Sequence, residues 1–242
     1  MPIITSDIKF YKSSVGESEG GSIDTASEIT DATIENLFDN VTSDEAADGL
    51  TDYRKFFVKN THASIEWANV FAWINSITPS EDSEISLGVG SAIDNDGSIE
   101  LLALSQESTI KVQSNGTDSR NLYLVGELNG TRVTETLVLS NDNVVTGTQR
   151  FTKLYQAYVT SQNATCEVTI TQVTGNRELG VIGENKLSAI LYQNPISKEN
   201  GFRIGSLAAA ASAGLWVKRV IQAGAAAYDA DQVAVRCEGE TT

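Results

Sequence analysis

The sequence predicts an all-β protein: a discontinuous Ig-like or jelly-roll-like β-sandwich with an inserted second β-sandwich domain. Short runs rich in Val, Ile, Phe and Trp recur with polar turns between them, at the spacing of about 8 to 12 residues that is typical of sandwiches. Apolar runs like those of residues 53–90 occur again near the C-terminus, after a separate β-rich stretch. We therefore expect one domain from residues 1–97 plus 185–242, and an inserted β-domain at 98–184.

The N-terminal part begins with an alternating stretch, residues 6–14, which predicts a first strand. It continues into a segment from Ser13 to Asp52 that contains eleven acidic residues and no Lys or Arg. Its Gly/Ser/Glu-rich beginning is typical of a surface loop, whereas residues 34–41 carry apolar side chains that would anchor it. The segment is either a solvated loop or an arm that docks on a basic neighbour.

Three strand-like runs follow at residues 53–62, 64–79 and 83–91. In the second run, Trp67 and Val70 have opposite parity, so either a bulge near Asn69 or burial on both faces is needed. These runs are too few to close a two-sheet sandwich. Two alternating stretches, residues 215–221 and 233–238, would complete it from the C-terminal side.

The inserted part, residues 98–184, contains four to six predicted strands. Asn129-Gly130 lies between two alternating runs and predicts a β-hairpin with a type I′ turn, because both residues tolerate positive φ. Insertion of a domain is tolerated where a loop brings its two ends close together.

Few motifs in the sequence could support metal binding or catalysis. Residues 94–97, Asp-Asn-Asp-Gly, match the start of a calcium loop, but Ala103 stands where the bidentate carboxylate is needed, which favours an ordinary turn. His62 is the only histidine and has no visible nucleophile motif around it, so we expect a turn residue.

Cysteines and tryptophans each leave two alternatives. Cys166 and Cys237 are either free thiols, as expected in a reducing cytoplasm, or a disulfide. The three tryptophans, Trp67, Trp73 and Trp216, are either core residues or an aromatic platform for sugars. Of these alternatives, the sequence favours core positions for the tryptophans and free thiols for the cysteines.

Composition argues against several classes of protein. Seventeen Lys and Arg against 32 Asp and Glu give a net charge of −15, which disfavours nucleic acid as a partner. One histidine and two cysteines leave little material for a zinc site or a His-based triad. No export signal is recognised, and no apolar run approaches the roughly 20 residues that span a bilayer. We expect no catalytic residue, no cofactor, no metal and no membrane partner.

Residues 36–74 and 214–242 resemble structural proteins from the morphogenesis modules of tailed bacteriophages, and residues 126–160 resemble a β-module recurrent in phage virion proteins. The resemblance implies a non-enzymatic virion protein, made in the host cytoplasm, that works at the head–tail neck or collar or on the capsid surface. Its implied partners are capsid, portal, neck or tail proteins and further copies of itself.

Within this class, the apolar residues near the N-terminus are the candidate assembly contact: Ile3, Ile4, Ile8 and Phe10. An extended arm can add a strand to a neighbour's sheet. The alternative is that residues 6–13 form only the first strand of their own domain. Two other functions remain open, a receptor- or glycan-binding module of a tail or baseplate, and a hydrolase with an unfamiliar carboxylate pair about 5 to 10 Å apart.

Overall fold

The computed structural model describes residues 2–15, 20–31, 33, 35–78, 80–90, 98–161, 163, 165–184, 186–226 and 232–241. The protein is nearly all β, with several antiparallel sheets, and the predicted all-β sandwich class is confirmed. The helical elements of the described part are one short α-helix, α1 (Ser43–Asp48), and 3₁₀ turns at Thr5–Asp7 and Lys198–Asn200.

The described residues form seventeen strands, numbered in chain order. They are β1 (Ile8–Ser13), β2 (Ile23–Glu28), β3 (Leu50–Asn60), β4 (Trp67–Ile77), β5 (Ser83–Gly90), β6 (Ser98–Glu100), β7 (Ile110–Ser114), β8 (Asn121–Leu128), β9 (Thr131–Val138), β10 (Val145–Thr146), β11 (Lys153–Val159), β12 (Val168–Gln172), β13 (Arg177–Ile182), β14 (Ser188–Ile190), β15 (Phe202–Leu207), β16 (Ser212–Ile221) and β17 (Val233–Thr241).

The chain divides into two compact units. Unit 1 consists of Met1–Gly88 and Tyr192–Thr242, and unit 2 consists of Val89–Leu191. Strand β14 pairs with β11 and β6 and so belongs to a sheet of unit 2. The boundary predicted from the sequence, between residues 184 and 185, would instead place it in the discontinuous domain. Three residues are too few to form a recognisable alternation of apolar and polar side chains, so the sequence does not indicate which sheet this strand joins.

Unit 1 contains a five-stranded sheet in the order β2-β1-β3-β16-β5 and a three-stranded sheet in the order β15-β4-β17. Strand β16 pairs with β3 from Ser212 to Ile221, and β17 pairs with β4, so both late strands pair with strands of the N-terminal segment. Both sheets bury apolar side chains, among them Val58 and Leu215 in the first and Val70 and Ala72 in the second.

Strand β4 contains the irregularity that its sequence pattern requires. Asn69 has a φ of 50°, and the pairing of β4 with β15 and with β17 shifts register nearby. Both parities of β4 are buried beyond this point, since Ala72 and Trp73 are each buried. The predicted bulge near Asn69 is confirmed, and burial on both faces accompanies it.

Unit 2 contains a four-stranded sheet in the order β10-β7-β12-β13 and a five-stranded sheet in the order β6-β14-β11-β8-β9. The pairing is antiparallel except between β14 and β6. Asn129 and Gly130 have φ values of 51° and 81° and join β8 to β9 in continuous register, which confirms the predicted hairpin. On β12, Val168 and Ile170 are buried, whereas Thr169 between them is partly exposed.

Candidate functional site

The four apolar residues proposed as an assembly contact lie just before the N-terminal 3₁₀ turn and in β1. Ile4 is 59% exposed, and Ile3 is partly exposed. Ile8 and Phe10 lie on β1, where the ring of Phe10 is 6.1 Å from that of Phe56. Strand β1 lies between β2 and β3, and it pairs with β3 from Ile8 to Lys12 and with β2 at Tyr11 and Ser13. Strand addition to a neighbour through β1 would require it to leave this sheet.

Part of the acidic segment is held by a cluster of charged and aromatic side chains, which we call the arginine clamp. The ring of Phe38 lies 4.6 Å from the guanidinium carbon of Arg219 and 5.3 Å from that of Arg54. Arg219 donates to the Asp52 carboxylate at 2.6 Å and to the carbonyl of Asp39 at 3.0 Å, and Arg54 donates to the Asp39 carboxylate at 3.1 Å. The arginine side chains are only 10% and 12% exposed, so the clamp fixes this part of the segment to β3 and β16.

The helix that follows the clamp is fixed by a capping box and by a contact with residues 224 and 225. Thr42 and Glu45 form a capping box at the start of α1, and the hydrogen bonds from the backbone and hydroxyl of Thr42 lower the pKa of the Glu45 carboxyl. The amides of Gly224 and Ala225 donate to the carbonyl of Ala46 at 2.8 and 3.2 Å. The stretch from residue 38 to 49 is therefore a strap on unit 1, and its exposed carboxylates face solvent.

His62 stabilises the connection between β3 and β4. Its Nδ1 accepts the amides of Ser64 at 3.2 Å and Ile65 at 3.0 Å, and its own amide donates to the Asn60 side chain at 3.0 Å. Asp52, an acidic residue near it in the sequence, is bound by the arginine clamp instead. The expected role as a turn residue is the one that this geometry gives His62.

Trp67, Trp73 and Trp216 are all buried. The aromatic platform that a sugar-binding site would need is therefore not formed by these rings. Cys166 and Cys237 are free thiols, and burial raises the pKa of Cys237. Of the two alternatives for each residue type, core position and free thiol are the ones observed.

The candidate calcium loop at residues 94–97 lies outside the described residues. Within the described ranges, no group of three or more His, Cys, Asp or Glu side chains is placed to hold a metal ion. None of the helices in the described part of the chain is long and apolar enough to cross a membrane.

Unit 2 carries an open groove of about 270 Å³ on its four-stranded sheet. Polar side chains dominate its lining: Lys111, Val112, Gln113, Val144, Thr169, Thr171, Asn176 and Glu178. The amine of Lys111 already donates to the Asn176 side chain at 2.5 Å. This is the geometry of a solvated sheet face with one side-chain hydrogen bond across it.

The three-stranded sheet of unit 1 carries a charged face that is not among the surfaces predicted from the sequence. The guanidinium of Arg236 lies 5.7 Å from the ring of Trp73, and the Glu238 carboxylate contacts Lys198 at 2.7 Å and Arg236 at 3.5 Å. Arg236 and Glu238 share one parity on β17, so the alternation of this strand already contained the signal. Both side chains remain well exposed, at 57% and 42%.

In the described part of the chain, the residues that could take part in catalysis or ligand binding are thus mostly engaged in contacts that stabilise the fold. Compared with protein-family models, curated proteins and solved structures, the chain matches none.

Proposed function

We propose that this chain is a non-enzymatic structural protein of a tailed-phage particle, which assembles through protein–protein contacts at the head–tail neck or collar or on the capsid surface. The observation that carries the proposal is a pair of long strands at sheet edges. Among the strands of the described residues, β9 in unit 2 and β17 in unit 1 are each the last in their sheet. An edge strand offers backbone donors and acceptors to a neighbouring chain.

Two further features support the proposal. The sequence blocks at residues 36–74, 126–160 and 214–242 resemble phage virion proteins. The side chains that would serve other functions have structural partners: His62 binds backbone amides, the tryptophans lie in the core, and Asp39 and Asp52 bind the arginines of the clamp. This favours an assembly role over the glycan-binding and hydrolase alternatives.

The test is to locate the protein in particles of the phage that encodes it. Purified virions would be labelled with gold-conjugated antibody against the full chain, with antibody pre-absorbed on the purified protein as control, and the particle's proteins would be identified by mass spectrometry. Label at the neck, or label over the head, is the expected result. Label at the distal tail would overturn the neck-or-capsid assignment in favour of the adhesion alternative, and absence from the particle would overturn the virion proposal.

A further inference from the structure

Strand β17 leaves one of its two backbone edges unpaired among the described residues. It is the last strand of the sheet β15-β4-β17, and its partner on one side is β4. The amide of Ile74, on β4, donates to the carbonyl of Pro195 at 2.8 Å and so points away from β17. Val235, the residue opposite Ile74, therefore directs its own N–H and C=O toward the open edge.

The alternation of an antiparallel ladder extends this assignment along the strand. Arg236 and Glu238, which pair with Trp73 and Phe71, form the hydrogen-bonded positions toward β4. Cys237, between them, has its backbone groups at the open edge. Register shifts at residues 234/235 and 238/240 bound this regular stretch.

We propose that the open edge of β17 pairs, antiparallel, with β17 of a second copy of this chain. The two-fold axis passes at Cys237, and the two three-stranded sheets join into one continuous sheet. The interface is isologous, since the same strand is used by both copies. This proposal does not depend on the virion assignment, because it concerns the purified chain alone.

Charge complementarity selects both the partner and the register. With the axis at Cys237, Arg236 of each copy lies opposite Glu238 of the other, which gives two opposite-charge pairs. These are non-hydrogen-bonded positions with respect to the new ladder, where opposed side chains are closest. Moving the axis to Glu238 would keep opposite charges, Arg236 against Glu240, but would oppose two Glu238 carboxylates at the axis itself. Moving it to Gly239 would oppose Glu238 and Glu240.

The side chains involved are suitably placed. Arg236 and Glu238 lie on the same face of β17 and are exposed, and Trp73 forms an aromatic floor beneath the guanidinium. The hydrogen bond from Lys198 lowers the pKa of the Glu238 carboxyl, which keeps it charged. Because the regular stretch is short, we expect a weak dimer, with a dissociation constant on the order of micromolar or above.

The test is a charge exchange in the full chain, followed by sedimentation velocity over a concentration series. R236E and E238R each place like charges opposite each other at two points, and each should weaken the dimer at least about tenfold. The double variant R236E/E238R restores opposite charges and should return the dissociation constant to within about threefold of wild type. R150E, which alters the exposed pair of Arg150 with Glu107 in unit 2, is the matched control and should leave dimerisation unchanged.

A second measurement places the contact on β17. Hydrogen exchange at the Val235 and Cys237 amides should slow as concentration rises, because these amides become hydrogen-bonded only in the dimer. Since E238R puts a cation beside Lys198, thermal unfolding would confirm that each variant is folded. A wild-type chain that stays monomeric up to about 1 mM, a dimer insensitive to all the charge variants, or amides that stay unprotected in a dimer would each overturn the proposal.

Discussion

Arg120 holds the buried carboxylate of Asp118 through two of its guanidinium nitrogens. Nε lies 3.0 Å from Oδ1 and Nη2 lies 2.6 Å from Oδ2, and the Asp118 side chain is 0% exposed. The carboxylate also accepts the Arg120 amide at 3.0 Å and the Ser114 hydroxyl at 3.3 Å. This network closes the connection between β7 and β8 in unit 2.

Replacing Asp118 with Asn should destabilise the protein by about 2–3 kcal/mol, because it leaves a largely buried guanidinium without its carboxylate. Equilibrium unfolding in urea, followed by circular dichroism, would measure the loss. The exposed pair of Arg150 with Glu107 provides the control, and R150A should cost about 0.5 kcal/mol. Equal losses for the two variants would contradict a special role for burial.

The same carboxylate should make stability depend on pH. Burial raises the pKa of Asp118, but the hydrogen bonds and charge of Arg120 outweigh it, so the pKa in the folded protein lies below its ordinary value of 3.8. The interaction therefore contributes fully above about pH 5. Its contribution is lost as the pH falls through the folded pKa. The difference in unfolding free energy between wild type and D118N should shrink below about pH 4, and a difference that grows on acidification would refute the assignment.

Two glycines in unit 2 should differ in their tolerance of a methyl group. At Gly126 a Cβ would overlap the main-chain carbonyl of Lys153 and the ring of Phe151, neither of which can withdraw freely. At Gly147 it would overlap the side-chain carboxylate of Glu135, which can rotate away after releasing the amides of residues 148 and 149.

We therefore expect G126A to cost about 3 kcal/mol and G147A about 1 kcal/mol in urea unfolding. The double variant G147A/E135A should lose less than the sum of its single losses, because the clash requires both residues. If G147A cost more than G126A, the close contact of Gly126 with Lys153 and Phe151 would not limit the side chain at position 126.

Removing the ring of Phe38 should loosen the strap without unfolding the sheet. F38A deletes the aromatic contact with Arg54 and Arg219, and each such contact is worth about 0.5–2 kcal/mol. Amide hydrogen exchange in α1 should accelerate accordingly. F71A, which removes a comparable contact with Arg203 elsewhere in unit 1, should leave α1 exchange unchanged. If both variants affected α1 equally, the strap would not depend on the clamp.

Local sequence patterns were sufficient for the features that neighbouring residues determine. The alternating runs predicted the strand class, Asn129-Gly130 predicted the hairpin, and the parity conflict in the second run predicted the bulge at Asn69. Each depends on side-chain periodicity or on φ preferences within a few residues. The Asp118–Arg120 pair has a local spacing too, since residues two apart in an extended chain share a face.

Strand order and the candidate surfaces could not be obtained in this way. The partners Phe38 and Arg219 come together through the pairing of β16 with β3, which no local pattern encodes. For the same reason, the placement of Ile8 and Phe10 on an interior strand and of Arg236 on an edge strand required the sheet topology. Assembly contacts for Ile3, Ile4, Ile8 and Phe10 stay a prediction.

Leu87 and Gln193 donate to each other's carbonyls at 2.7 and 2.9 Å, on the two chain segments that leave unit 1 and return to it. The exit and entry points are thus one strand spacing apart, about 5 Å. A genome could lose or exchange the intervening module, because a short turn would rejoin the ends and keep the strand pairings of unit 1. Homologues that differ by a whole module at this point, with the flanking strands retained, are the evolutionary signature that such a junction permits.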